Sequence, residues 1–116
     1  MIFVKKDAID KEKIEPYFQE WDALSKEIFE AHEKRNGQAQ ILMEKGIRLF
    51  EELIVMTSET DAKEVLQGEE YEVMPINGME RLHFIKARPG QYACFRQLDE
   101  LFKELKKKYA RLRIQK

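Results

Sequence analysis

Cysteine occurs once, at Cys94, proline three times and glycine five times in 116 residues. A single thiol excludes an internal disulfide and fits a reducing compartment, so a cytoplasmic protein is expected. So few turn formers argue against a sandwich or barrel of many short strands. Apolar runs extend only a few residues, too short to cross a membrane. The opening "MIFVKKDAIDKEK" has no basic flank, long apolar stretch or small-residue cleavage site, so it does not read as a secretory signal. There is also no phosphate-cradling glycine loop, no cysteine cluster and no sharp elbow around a serine. No cofactor is implied. Lys and Arg number 21 against 22 Asp and Glu, a net charge of −1, so the chain as a whole sets up no strong field toward nucleic acid.

What the chain does have is helical periodicity. Apolar positions fall at Tyr17, Trp21, Leu24, Ile28 and Ala31 in alternating steps of 4 and 3, with Phe18 and Phe29 widening the stripe. The steps recur through Ala39, Leu42, Gly46, Leu49, Leu53 and Met56, and again through Phe95, Leu98, Phe102, Leu105, Tyr109 and Leu112. Side chains so placed fit between those of an adjacent helix running nearly parallel or antiparallel. Each segment is about 27 to 35 Å long at 1.5 Å per residue, a bundle length and not that of a long coiled coil.

Boundary signals refine this into a fold. Pro16 suits a first helical turn, where its missing N–H removes nothing. "RNG", ending at Gly37, stops the first helix with a residue suited to a left-handed conformation. Ser58, with Asp61 three residues on, reads as the N-cap of a short helix over residues 59–67, halted at Gly68. Without that helix a structureless loop of about twenty residues would remain, which is uncommon in compact domains. A fourth helical stretch follows Pro75, with Asn77 and Glu80 forming a capping box and Pro89 ending it near Arg88. The expectation is an all-α, antiparallel helical bundle of four main helices, with a short extra helix between the second and third. It forms one domain over residues 1–116, with residues 1–12 a loosely attached N-terminal segment.

Charged residues supply the candidate sites. Glu80 and His83 have the Glu-x-x-His spacing of some metal-binding helices, but His32 lacks a matching glutamate three positions earlier, so the ligands are too few and no metal site is expected. At 100° per residue, Arg81 and Arg88 share an arc with Leu82, Phe84 and Ile85, inside the apolar side of a short helix. A buried guanidinium must be paired. Residues 51–80 carry nine acids and one base, Lys63, so an internal ion pair is favoured over a two-arginine clamp for a phosphate or carboxylate. Residues 103–116 hold seven bases and one acid, with Lys103, Lys106, Lys107 and Arg111 turned from the seam. This strip offers a phosphate-contacting face, though no aromatic side chain interleaves it, so a solvated face at a helix C-terminus is favoured. Cys94 lines up with Leu98 and Leu101, which suits a small buried thiol better than a nucleophile. Gly46 on the seam implies close approach of another helix, with Trp21 a candidate to fill the space.

The run "PINGMERLHFIKARPGQYACFRQLDELFKEL" resembles the YpoC-like family of helical proteins from Bacillus-type bacteria, through a "P-x-N-x-x-E-R-x-x-F-I" core. Those positions are Pro75, Asn77, Glu80, Arg81, Phe84 and Ile85, followed by Arg88 and Pro89. A later "Q-L-x-x-L-F-x-E" is matched by Gln97, Leu98, Leu101, Phe102 and Glu104. The resemblance implies an all-helical domain and brings no catalytic residue with it. Two functional readings follow: a non-catalytic module acting through contacts with an unknown protein partner, or a nucleic-acid accessory protein using the basic C-terminal helix.

Overall fold

Four α-helices carry the chain in the computed structural model, which describes residues 1–115. They are α1 (Lys11–Lys34), α2 (Ala39–Met56), α3 (Gly78–Ala87) and α4 (Tyr92–Ile114), preceded by one 3₁₀ turn, Lys6–Ala8. Among the described residues extended pairing is confined to isolated bridges.

The three periodic stripes converge on one core. Trp21 stacks on Phe102 with ring centres 4.4 Å apart and planes within 10°. Phe18 meets Phe102 and Tyr109 edge-on, and Phe50 does the same to Phe102. Because Phe18 faces the C-terminal half of α4 while His32 packs on Tyr92 and Phe95, α1 and α4 run antiparallel. The Tyr17 hydroxyl reaches Met56 Sδ at 3.1 Å, which places the start of α1 beside the end of α2. At the centre, a β-carbon on Gly46 would lie 2.6 Å from Trp21 Cζ3, the close approach expected of a glycine on the seam. Phe29 falls off the stripe and is exposed.

The termini of α1 differ from the expected ones. The helix starts at Lys11, so Pro16 lies inside it, past the first turn, and the helix continues through. At the other end Arg35, not the glycine, is the C-cap, in the left-handed region at φ 51°. Gly37 also adopts positive φ, and the Gln38 N–H donates to the Asn36 side chain to turn the chain into α2.

Residues 59–67 are not helical; they run as turns and bends. Ser58 is the reason. Its buried hydroxyl donates to the Ile54 carbonyl at 2.7 Å, closing the end of α2, and so does not cap a following helix. Thr57 does likewise, donating to the Leu53 carbonyl at 2.8 Å.

The N-terminal segment, expected to be loosely attached, threads between two other stretches of chain. Ile2 bridges to Tyr71, with its N–H donating to the Glu70 carbonyl and its carbonyl accepting from the Glu72 N–H. On the other side, Lys5 donates to the Thr57 carbonyl and Glu59 donates to that of Phe3. Alternation along this extended segment turns Val4 inward, while Phe3 is left exposed. Ile9 is fully buried. The opposite terminus of the chain meets it: the Lys6 ammonium donates to the Leu112 and Gln115 carbonyls, and the Arg113 guanidinium donates to the Ile9 carbonyl. Lys6 thereby satisfies carbonyls that the last turn of α4 leaves free.

Candidate functional site

α3 is the element on which the candidate arginines sit. It packs on α4 through Arg81 and on α2 through an ion pair between Lys86 and Glu51 at 2.7 Å. Its inner face is Gly78, Leu82 and Ile85. Gly78 is pressed against the Met74 side chain so closely that a β-carbon would overlap it. The capping box does not form. Asn77 occupies the N-cap position in the left-handed region, at φ 55°, and its side chain makes no capping bond, while Glu80 is exposed. With a left-handed backbone the asparagine side chain is not presented to the first-turn N–H groups as an extended N-cap residue would present it.

Arg81 and Arg88 do not form a clamp. The Arg81 guanidinium grips Glu104 of α4 by two parallel bonds of 2.9 and 2.7 Å, and donates also to the Ile76 carbonyl and the Gln97 side chain. Its donors are thereby occupied within the fold. The hydrogen bond from Arg81 holds the Glu104 carboxyl below the usual carboxylate range, and the same bond raises the Arg81 pKa. The partner comes from α4 and not from the acidic stretch over residues 51–80. Arg88 follows the last residue of α3 as its C-cap and is exposed. Phe84, expected on the buried arc, is 52% exposed. The buried face therefore takes only the Ile85 and Leu82 end of the arc assigned from the sequence; Phe84 and Arg88, at its other end, lie outward, and of the two arginines only Arg81 pairs with a neighbouring helix.

The C-terminal basic strip is engaged in part. Lys103 pairs with Asp99 at 2.9 Å, and Asp99 in turn accepts a 3.0 Å bond from the Trp21 indole N–H. Lys106 lies over the Phe18 ring, 5.6 Å from its centre. Lys107 and Arg111 are exposed, and neither forms an ion pair among the described residues. Lys116, the last base of the strip, lies outside the described residues.

Glu80 and His83 are exposed on the rim of a shallow cleft of about 570 Å³ shared with Glu69, Glu70 and Met79. No group of three or more metal-ligating side chains occurs among the described residues. Cys94 is fully buried; burial pushes its thiol up, opposed by the charge of Arg88, and its sulfur faces the Phe84 carbonyl at 3.9 Å. Sequence reasoning missed the outward placement of Phe84. The available signal was its spacing from Glu80 and Arg88, four residues to either side, which puts all three on one stripe.

Three comparisons with known proteins bear on this chain. The model of the family described as YpoC-like protein matches residues 11–116. A curated protein of Bacillus subtilis (strain 168), named Uncharacterized protein YpoC, is 34% identical over 99 residues, covering 79% of this chain and 59% of the relative. The chain thus spans about three fifths of the length of that relative. No solved structure matches it significantly. No helix among the described residues is long and apolar enough to cross a membrane.

Proposed function

The chain belongs to the YpoC-like family, and from that premise we propose that it is a non-catalytic module, an antiparallel four-helix bundle working in the cytoplasm through protein–protein contacts. The outward face of α3 carries this reading. Phe84 stands 52% exposed at the middle of that face, with no packing role in the core. An exposed aromatic side chain rimmed by charge is the composition of an interface anchor. Two charged pairs, Arg81 with Glu104 and Lys86 with Glu51, fasten α3 to its neighbouring helices and hold that face outward.

The test is affinity capture from native cytosol with wild type and with Phe84→Asp, each checked for helicity by circular dichroism. Loss of particular proteins from the variant's capture is the expected result. An identical set for both forms would overturn the reading.

A second reading, nucleic-acid binding along α4, draws its support from Lys107 and Arg111, which are exposed without ion-pair partners among the described residues. It ranks below the first because Lys103 and Lys106 are occupied by Asp99 and Phe18. A salt titration of double-stranded DNA decides it: retention that falls steeply with salt supports it, and no retention at low ionic strength removes it.

A further inference from the structure

The exposed stripe of α3 has a charge order that can be read for its partner. Glu80, Phe84 and Arg88 follow one another at intervals of four residues: Glu80 lies about 40° around α3 and about 6 Å along it from the ring, and Arg88, the C-cap, continues the row just past the last helical residue. Glu80 and Arg88 are both exposed, and neither has an ion-pair partner among the described residues. Lys86 and Arg81, the other strong charges of the helix, are neutralised by Glu51 and Glu104. The free pattern on this face is therefore one acid, one aromatic ring and one base in a line.

Such a line is self-complementary. A twofold axis beside Phe84 and perpendicular to this row, which is inclined about 26° to the helix, sets ring against ring and brings Glu80 of one copy opposite Arg88 of the other, twice, with the two helices crossing at about 50°. A uniformly acidic or basic partner would gain one of these contacts and be repelled at the other. We propose that the outward face of α3 is an isologous contact between two copies of this chain, packed antiparallel through Phe84. This rests on the reading of that face as a protein-contact surface, and names its partner. One ten-residue helix offers a small area, so the dimer is weak and its assembly depends on concentration.

Sedimentation equilibrium of the full chain over a wide concentration range tests the contact. Wild type is expected to self-associate. Glu80→Arg or Arg88→Glu alone places like charges opposite each other and weakens association by about tenfold or more. Glu80→Arg combined with Arg88→Glu restores opposite charges in swapped positions and returns association toward wild type. Circular dichroism confirms that each variant is folded, which these exposed sites permit. A dimer unmoved by the single reversals, or not restored by the pair, would overturn the proposal. So would a wild type that stays monomeric throughout. If that monomer still loses captured proteins on Phe84→Asp, the wider protein-contact reading stands; if its capture is unchanged, both fail.

Discussion

Gly46 of α2 faces the Trp21 indole of α1, and a methyl group on the glycine would sit 2.6 Å from the indole and 3.1 Å from Leu98 Cδ2. Real side chains do not share such a space, and the indole is held in place by its stack on Phe102 and its bond to Asp99. Alanine gains about 1 kcal/mol of helix propensity over glycine, but overpacking a core commonly costs about 1–3 kcal/mol. Gly46→Ala is therefore expected to lower stability by up to about 2 kcal/mol net, read from the urea midpoint. A stabilised variant would mean that the interface opens more easily than this packing implies.

The buried Tyr109 hydroxyl sits 2.8 Å from Thr57 Oγ1 and donates to the Leu53 carbonyl at 3.3 Å. Tyr109→Phe removes these bonds but leaves Thr57 donating to the Leu53 carbonyl, so no donor is orphaned and the loss is about 1 kcal/mol. Burial raises the Tyr109 pKa well above that of a free phenol. The sign follows: below pH about 10 both folded and unfolded forms are protonated, and above it only the unfolded form ionises, so stability falls as pH rises. Denaturation monitored from pH 9 upward should show that decline in wild type and a shallower one in Tyr109→Phe.

Glu104 behaves in the opposite sense at the acid end. Its folded pKa lies below its unfolded one because Arg81 bonds to the carboxylate. Its contribution is present above the unfolded pKa, near pH 4.5, and disappears as pH falls through the lower folded value. The pair is partly exposed, with side-chain accessibilities of 23% and 39%, so Glu104→Gln is expected to cost only about 1 kcal/mol at pH 7. The difference from wild type should shrink progressively as pH falls below about 4.5.

Ile9 is fully buried, and its carbonyl accepts a 2.9 Å bond from Arg113. Truncation to alanine is expected to cost about 2–4 kcal/mol, as for other fully buried large aliphatic residues. A dispensable N-terminal segment would show a change near zero. The thermal midpoint of Ile9→Ala distinguishes these outcomes directly.

The aromatic seams were legible because burial of a helix face leaves a mark at every third or fourth position, and Trp21, Leu49 and Phe102 do lie together in the interior. Gly46 was legible for the same reason, since a glycine on such a seam has no use except close approach. Arg81 was legible only as a residue in need of a partner; that the partner is Glu104 depends on how α3 lies against α4. Phe84 misled, because a ten-residue helix with mixed faces has too few turns to define its buried side by period alone. Ser58 misled in another way: a hydroxyl between two elements can close the one before or cap the one after, and local sequence does not choose.

Local periodicity, which acts within a few residues, determined by itself that this chain is helical and which side of each of its three long helices is apolar. The bridging of residues 2–5 to distant stretches of chain, the Lys6 and Arg113 clasp between the chain's two ends, and the outward turn of Phe84 were decided only by tertiary structure. Each depends on groups dozens of residues apart meeting in space, and no short-range pattern encodes that meeting.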